Sequence, residues 1–499
     1  MRLRVEPIRE PDLLFGNGEV GKEPKLSLAR KRPADPYIER LELGVVALPA
    51  QIEAVRAWFA QIHSLVLGTE RNARRFREFP GVSRVFPCRY DIPDKFVRVI
   101  EPDEYSKAQA LAPRDAFTAL LDLFGERVES LFGDVRPSVV LVCIPEELAE
   151  FRISNPRLTE RERAALERLQ REEDDEQISL FAPSAEELRL VAELKPQAEE
   201  LLFRSFYRAL KARCMAHSNP VPIQVLRRHT YVPDEAVRST QSDATRAWNL
   251  AVSLYYKSGR IPWRPYDLTP DTCFVGLSFH HLKRRSGDVV YASLAQAFSS
   301  ETEPFALQGG TIPRSQTRGR QPYLTEEQAS ELAKRVIAAY KARTDSLPSR
   351  VVLHKTSRYQ PEEQSGFRES LLAQVPACDL VWIAPTGFRL LRRGMQEPSR
   401  GTLCTVGDYD HYLFTTGFVP WWDEYPGPHI PAPLRIGIAG GGDIVERSRE
   451  ILALTKMNWN NAEGIGRHPI TISFARKVGT ILTEMPDDAV PNPLYRFYM

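Results

Sequence analysis

Long hydrophobic runs and an excess of charge of one sign are both missing from this 499-residue chain. No stretch approaches the roughly eighteen apolar residues of a membrane span, and the first residues lack the apolar core of a signal peptide. The expectation is a globular cytoplasmic protein. The 67 Lys and Arg residues nearly balance the 65 Asp and Glu residues, which leaves a net charge of +2. This balance does not exclude nucleic acid, because an acidic surface elsewhere can offset a basic channel.

Paired cysteines are missing as well. The six cysteines are scattered and form no Cys-x-x-Cys motif, and most of them lie beside apolar residues. We interpret them as reduced core residues and predict neither disulfides nor a zinc site.

A Gly-x-Gly-x-x-Gly pattern occurs at residues 16–21. A dinucleotide-binding fingerprint needs a buried strand before it and a helix directly after it. Here only a short apolar Leu13-Leu14-Phe15 precedes the pattern, and Lys22-Glu23-Pro24-Lys25 follows it. The pattern therefore does not predict a cofactor site.

From residue 41 the chain alternates between strand and helix patterns, which predicts an α/β fold. Residues 41–48 and 138–144 are typical of buried strands, and residues 51–67 of an amphipathic helix. Residues 157–176 are dense in charge and predict a solvated insertion helix. In the second half the predicted strands are 273–279, 289–294, 350–354, 379–383, 402–406 and 434–439, and the predicted helices are 326–342 and 444–454. Their order suits an RNase H-like sheet that packs as one rigid body with the first domain.

Donor side chains repeat at helical spacing between residues 203 and 257. Tyr207 and Lys211 share one face of a helix predicted over 197–215. A short strand presents Gln224, and a helix over 242–258 carries Asn249, Ser253 and Lys257 on one face. Such faces are more often solvated surface. They could also hold a phosphate, which needs several N–H and O–H donors and positive charge.

Three positions in the second half lack a side chain that metal-dependent hydrolysis would need. Ser278 ends the run Val275-Gly276-Leu277, where an active PIWI-type RNase H-like nuclease has Asp. Thr356 and Arg476 likewise stand where its other metal-binding residues are expected. Two-metal hydrolysis requires negative oxygen ligands around the scissile phosphate. Ser, Thr and Arg cannot form that cage, so the sequence predicts no cleavage by this chain.

Residues from about 200 to the end resemble short prokaryotic Argonautes. The motifs that carry this resemblance are Tyr207-x-x-x-Lys211, Gln224, Asn249-x-x-x-Ser253-x-x-x-Lys257, residues 274–277, 415–417, 433–436, 455–460 and 469–475. The resemblance implies a 1–36 extension, a Rossmann-like MID domain over 37–262 with a charged insertion at about 157–190, and an RNase H-like PIWI domain over 263–499. It also implies that Tyr, Lys, Gln, Asn and Lys at these places hold a guide's 5′-phosphate, and Tyr207 is a candidate for stacking on the first base.

The same resemblance implies an RNA guide, a single-stranded DNA target and a separate effector. That partner would carry an APAZ region with a sirtuin-like or TIR domain that degrades NAD in defence against phage or plasmids. Relatives use a Mg²⁺ ion between guide phosphates and the terminal carboxylate, which would be that of Met499. Ser253 departs from the Gln that supports this ion in relatives.

The main alternative is an active guided nuclease with shifted acidic ligands, for example Asp408, Asp410 or Glu463. A structural subunit that binds no guide is a third possibility. His280, His281 and His354 have no carboxylate partners at metal-binding spacing and are not predicted to bind metal. The basic segments 227–229 and 283–285 are more plausible contacts to backbone phosphate, which give affinity without sequence readout.

Overall fold

The computed structural model of the chain describes most of both predicted domains. The described residues are 3–35, 38–68, 72–149, 151–153, 204–232, 241–283, 289–298, 303–313, 316–318, 321–391, 397–427, 430–485, 489 and 491–499. The predicted charged insertion at 157–190 lies outside these residues, as does the start of the predicted 197–215 helix.

Strands and helices alternate along the described chain. The first elements are β1 (Leu3–Pro7), β2 (Leu13–Leu14), a 3-10 turn (Gly16–Gly18), β3 (Val20–Gly21) and α1 (Pro24–Arg30). The next group comprises β4 (Arg40–Ala47), α2 (Pro49–Ile62), α3 (Val82–Val85), β5 (Arg89–Asp91), a 3-10 turn (Asp94–Phe96), β6 (Val97–Val99), α4 (Pro102–Gln109), α5 (Pro113–Glu129), β7 (Val139–Cys143), α6 (Glu146–Ala149), β8 (Arg152–Ile153), β9 (Arg204–Ser205), α7 (Phe206–Met215), β10 (Ile223–Leu226), α8 (Arg228–Tyr231), α9 (Asp243–Lys257) and β11 (Arg264–Pro265).

The second half is built mainly from longer strands. Its elements are β12 (Thr272–Lys283), β13 (Val289–Phe298), β14 (Phe305–Ile312), β15 (Thr317–Arg318), β16 (Gln321–Pro322), α10 (Glu326–Thr344), β17 (Arg350–Lys355), α11 (Pro361–Leu372), β18 (Ala377–Pro385), β19 (Thr402–Val406), β20 (Asp410–Leu413), β21 (Leu434–Ala439), α12 (Ile444–Leu454), α13 (Ile470–Leu482) and a 3-10 turn (Tyr495–Phe497).

The first domain contains a parallel sheet. Its strand order is β10-β7-β4-β5, with β6 also paired to β4, and all of these pairs are parallel. Every residue of β7 is buried, as expected for a parallel strand covered on both faces. This is the Rossmann-like arrangement that the sequence predicted.

The second domain contains a nine-stranded mixed sheet in the order β1-β19-β20-β21-β18-β17-β12-β13-β14. At its centre β12, β17 and β18 run parallel. Alternation assigns the residues of β12 to opposite faces. Cys273, Val275 and Leu277 share a core cluster with α10 and α11, whereas Phe274 joins the cluster that includes α13. The α/β fold is therefore confirmed, and helices cover both faces of this sheet.

The N-terminal segment packs on the second domain. Strand β1 pairs antiparallel with β19 at the edge of the large sheet. Further along, the Glu10 carboxylate lies 2.9 Å from Arg400 Nε and 3.0 Å from Lys456 Nζ, and both basic side chains are fully buried. Burial by itself raises the pKa of Glu10, but the two cations outweigh it and leave that pKa below its usual value. An ion cluster with this burial needs all its partners in place.

Several predicted boundaries change. The helix predicted over 51–67 ends at Ile62, because Val66 instead pairs with Phe79 in an isolated bridge. The helix predicted over 197–215 begins at Phe206, because Arg204–Ser205 pair with β8. The sequence did not predict β14, α11 or α13.

Three simpler predictions can also be compared with the structure. The glycine pattern at 16–21 forms a hairpin between β2 and β3 and no strand-to-helix phosphate loop. All six cysteines are free thiols. Among the described helices, none is long and apolar enough to cross a membrane.

Candidate functional site

Two predicted helix faces meet beside the last residue of the chain. Helix α9 starts after Ser242, whose hydroxyl accepts a hydrogen bond from the Thr245 amide, a favourable N-cap. Thirteen of its fifteen residues are buried. The buried set includes Lys257, and α7 likewise buries Lys211, with relative exposures of 1% and 2%. Two ammonium groups are therefore held inside the protein.

Main-chain oxygens accept the hydrogen bonds of both lysines. The Lys257 Nζ donates to the Ile223 and Met499 oxygens, each at 2.7 Å. The Lys211 Nζ also donates to the Met499 oxygen, and it lies 3.4 Å from the Tyr498 oxygen. Because Tyr498 and Met499 are buried, the chain end is part of this lysine pocket, which we define as Lys211, Lys257 and the Met499 oxygen.

Burial and repulsion act on the lysine pocket together. Burial lowers the pKa of Lys211 and of Lys257 well below the ordinary lysine value of 10.5. Lys477 of α13 lies close enough to lower the pKa of both further, and Lys257 does the same to Lys211. Desolvation and like charges both disfavour the ammonium form. The sequence interpretation missed Lys477, because its helix was not predicted.

Tyr207 lies on the same helix as Lys211. Its ring centroid is 4.6 Å from Lys211 Nζ, within the range of a cation–π contact. The ring is half-buried. The contact helps to hold one of the pocket cations.

Gln224 and Ser253 form a neutral hydrogen-bond network next to the lysine pocket, since Gln224 follows Ile223, whose oxygen binds Lys257. The Ser253 hydroxyl is 3.2 Å from Gln224 Oε1 and 3.4 Å from Asn460 Oδ1. The Gln224 amide donates to the Val225 oxygen at 3.1 Å. Asn460 is a third member that the sequence interpretation did not single out.

Asn249 serves the adjacent loop. Its Oδ1 accepts a hydrogen bond from the Ala462 amide at 3.0 Å, and its Nδ2 donates to Gln241 at 3.1 Å. Both ends of the amide are thus engaged with protein. Asn249 therefore links α9 to residues 241 and 462.

The oxygen atoms near the lysine pocket do not suit Mg²⁺. A divalent cation needs several oxygen ligands and is usually bound with carboxylates. Here the terminal carboxylate of Met499, the charged ligand expected for the ion, already accepts hydrogen bonds from two ammonium groups. The neighbouring Gln224 and Asn460 oxygens are neutral. Each unit charge placed about 4 Å from a like charge is repelled by roughly 4 kcal/mol at an effective dielectric of 20. The arrangement fits an anion better than a cation.

A second centre surrounds the three positions that lack carboxylates. Leu277 pairs with Lys355 across β12 and β17, and both side chains face α10 and α11, since Lys355 Nζ binds Glu363 of α11 at 2.6 Å. The next residues, Ser278 and Thr356, therefore fall on the opposite face, which α13 covers. Arg476 lies on α13. The structure thus brings the three predicted positions to one face of the sheet.

His354 shares this face and is neutral. Its Nδ1 lies 2.9 Å from the Thr471 hydroxyl of α13. Burial, and then the nearby Arg350, lower the pKa of His354 to about 3. The hydrogen bond fastens α13 to the sheet.

The alternative acidic ligands have other contacts. Asp410 pairs with Arg435 at 2.5 Å, and Glu463 lies 3.5 Å from Arg75. Asp408 is exposed in the turn between β19 and β20. Across the described ranges, no three His, Cys, Asp or Glu side chains are grouped so as to hold a metal ion.

Comparison with solved structures identifies the fold. Argonaute from Clostridium butyricum bound to a guide DNA and a 19-mer target DNA has a TM-score of 0.61 at 15% identity, covering 99% of this chain and 55% of that chain. The fold is that of Argonaute proteins. Drosophila Piwi has a TM-score of 0.58 at 15% identity, covering 99% and 56%. A. aeolicus Argonaute has a TM-score of 0.54 at 12% identity, covering 99% and 55%.

The chain thus spans about half the length of each of these Argonaute structures. No protein-family model matches it, and no curated protein sequence matches it. We call the parallel sheet MID-like and the nine-stranded sheet PIWI-like, after the domains that the sequence motifs resemble. The lysine pocket lies between the two, because α7 and α9 belong to the first and Lys477 to the second.

Proposed function

We propose that this chain binds the 5′-phosphate of a nucleic-acid guide in the lysine pocket and uses base pairing to capture a complementary strand. The buried lysine pair carries the proposal. Lys211 and Lys257 donate to main-chain oxygens, one of which is the Met499 oxygen that both share. Among the described residues, the carboxylate at these ammonium groups is the terminal one of Met499, which balances one of their two charges. A buried charge of this kind is stabilised when an anion joins it.

A terminal phosphate has the chemistry that the pocket lacks. It brings up to two negative charges and three acceptor oxygens, so it can accept hydrogen bonds from both ammonium groups. Its charge would raise the pKa of each lysine again and relieve their mutual repulsion. Lys477 adds a third positive charge nearby, and the half-buried Tyr207 ring offers a surface for the first base.

The nature of the two strands is part of the proposal. The C. butyricum protein was solved with a guide DNA and a target DNA, whereas the sequence motifs resemble those of Argonautes with RNA guides. We propose an RNA guide and a single-stranded DNA target. Sequencing the nucleic acid that copurifies with the chain tests this assignment, and recovery of 5′-hydroxyl fragments or of no nucleic acid would contradict it.

The PIWI-like centre would bind the target strand without cleaving it. Ser278, Thr356 and Arg476 supply no carboxylate where a two-metal mechanism needs them. The catalytic activity would then belong to a cytoplasmic partner, an APAZ-containing chain with a sirtuin-like or TIR domain that is switched on by target pairing. Incubating the purified chain with guide, target and Mn²⁺ should yield no cleaved strand, and a guide-dependent product would overturn this part of the proposal.

The pocket itself is tested by comparing guides that differ only at the 5′ end. A 5′-phosphate should bind at least tenfold more tightly than a 5′-hydroxyl, because a hydrogen bond to a charged group contributes about 1.5 to 3 kcal/mol. Equal affinities for the two guides would remove the lysine pocket from guide binding.

A further inference from the structure

The PIWI-like centre has an unexpected electrostatic character. Where a cleaving enzyme would gather carboxylates around cations, the side chains that converge here are basic. Arg476 lies on α13, and Arg467 and His468 directly precede the first turn of the same helix. Arg467 lies close enough to Arg389 and Arg476 for each to lower its pKa, after the larger effect of burial.

The topology explains why Arg389 joins this group. β12, β17 and β18 are parallel, so their carboxyl ends meet at one edge of the sheet. Ser278 directly follows the last β12 residue that pairs with β17, and Thr356 directly follows β17. Arg389 lies in the loop four residues after β18 ends at Pro385. Ligands of open α/β sheets bind in the crevice outside the carboxyl ends of the strands.

Arg467 and His468 also have unused hydrogen-bonding capacity. Arg467 Nε and His468 Nδ1 are buried and have no hydrogen-bond partner within the described part of the chain. No acidic side chain of the described residues forms an ion pair with Arg389 or Arg467. The pKa of His468 is lowered to about 3 by burial and by Arg476 and Arg467, so that ring is neutral. Buried polar atoms of this kind usually have a partner.

An anion would satisfy this crevice. Arginine presents a planar fork of N–H donors that matches phosphate geometry and stays charged when partly buried. The N-terminal end of α13, a helix of 13 residues, adds the positive end of its dipole.

We propose that this crevice, defined by Arg389, Arg467 and Arg476, is a phosphate clamp that holds one backbone phosphate of the target strand. The charge of the degenerate centre is thereby inverted: arginines contact directly the phosphate that metal ions would bridge in a nuclease. The clamp rests on the proposed function, because it requires a guide to bring the target strand to this edge. It would contribute affinity without sequence readout.

The test uses the guide-loaded chain and a complementary single-stranded DNA target. Arg467→Ala and Arg476→Ala should each weaken target binding by about tenfold and lower the slope of log affinity against log salt by about one. Arg389→Ala, on an exposed loop, should also weaken target binding and lower the salt slope, and it should not affect folding. Arg449→Ala removes an exposed arginine on α12 and should leave both quantities unchanged. Guide affinity should be the same in all four variants.

A neutral backbone linkage locates the contact. Replacing single target phosphates with methylphosphonates should weaken binding to wild type at one or two adjacent positions, and that loss should vanish in Arg476→Ala. An identical methylphosphonate profile in wild type and Arg476→Ala would overturn the clamp, as would a wild-type profile in which no target position weakens binding. If wild type binds no guide, the proposed function fails; if it binds guide and target but the variants match it, only the clamp fails.

Discussion

Adjacent residues of α13 serve two different centres. Successive helix residues point about 100° apart, so Lys477 approaches the lysine pocket while Arg476 approaches the PIWI-like crevice. The lysine pocket is sealed, and its cations are hydrogen-bonded to main-chain oxygens. The crevice is more open, with Arg467, His468 and Arg476 half-buried. A sealed pocket can select for the chemical group at the end of a strand, whereas an open crevice can bind the backbone of a strand that continues on both sides of it.

The largest difference between the centres should appear when the lysines are neutralised. Lys211→Met and Lys257→Met should each reduce affinity for a phosphorylated guide by about 1.5 to 3 kcal/mol. The double variant should lose less than the sum, because the two lysines share one ligand. Fluorescence anisotropy with 5′-phosphate and 5′-hydroxyl guides measures the change. Lys107→Met, on the exposed face of α4, is the matched control, and an equal loss there would contradict the assignment.

Extending the chain beyond Met499 should perturb only the sealed pocket. Tyr498 and Met499 are 0% and 2% exposed, so added residues would have to displace the oxygen that both lysines bind. We expect guide affinity to fall about tenfold or more, the loss of at least one hydrogen bond to a charged group. The same tag placed before the exposed strand β1 should leave guide affinity intact. Equal effects from the two tags would argue against a role for the chain end.

The pH dependence should also separate the two centres. Burial lowers the pKa of Lys211 and Lys257 in the folded chain below the unfolded value of about 10.5. The unfolded chain therefore binds more protons in the interval below that value, so these lysines make the free energy of unfolding rise with pH there. Lys257→Met should be more stable than wild type near neutral pH, and the advantage should shrink as pH approaches 10.5. Denaturant titrations at several pH values measure it.

Guide binding should show the opposite trend with pH. The phosphate favours charged lysines, so binding takes up protons and affinity should fall as pH rises towards 10.5. Arginine stays protonated throughout this range, so target capture by a preformed guide complex should change far less. A guide affinity that is independent of pH in wild type would show that the lysines are already fully charged without ligand.

The smallest effect should come from Asn249. Its Oδ1 holds the Ala462 amide, so Asn249→Ala should lower the free energy of unfolding by about 0.5 to 1.5 kcal/mol, the net contribution of an ordinary hydrogen bond. Discrimination between phosphorylated and hydroxyl guides should hardly change. A loss of discrimination as large as that of Lys257→Met would place Asn249 on the phosphate after all.

Local sequence patterns were enough to predict several strands and helices. Strands β19 and β21 and helix α12 have the predicted bounds, because their apolar periodicity is clear and their ends are marked by turn residues. Helical spacing alone pairs Tyr207 with Lys211, and Ser253 with Lys257. Lys477 could not be placed in this way, because its approach to Lys257 depends on how α13 packs between the two sheets. The basic crevice depends on the order of β12, β17 and β18, which local patterns do not encode.

The destination of a polar side chain was the hardest property to predict. Asn249 shares a helix face with Ser253 and Lys257, yet its Oδ1 accepts a hydrogen bond from Ala462, more than two hundred residues away in sequence. Its Nδ2 donates to Gln241. Lys211 and Lys257 look like solvated surface in sequence but are among the most buried charges. Spacing gives the face of a helix, and tertiary contacts decide what covers that face.

A double-mutant cycle between the guide phosphate and Lys257, measured in EDTA, tests the central claim most directly. Four affinities are needed: wild type and Lys257→Met, each with a 5′-phosphate and a 5′-hydroxyl guide. We predict that removing the phosphate weakens wild type by at least tenfold without any divalent cation, and that the same removal has little effect on Lys257→Met. Equal losses in both proteins, or a wild-type preference that disappears in EDTA, would contradict phosphate recognition by the buried lysines.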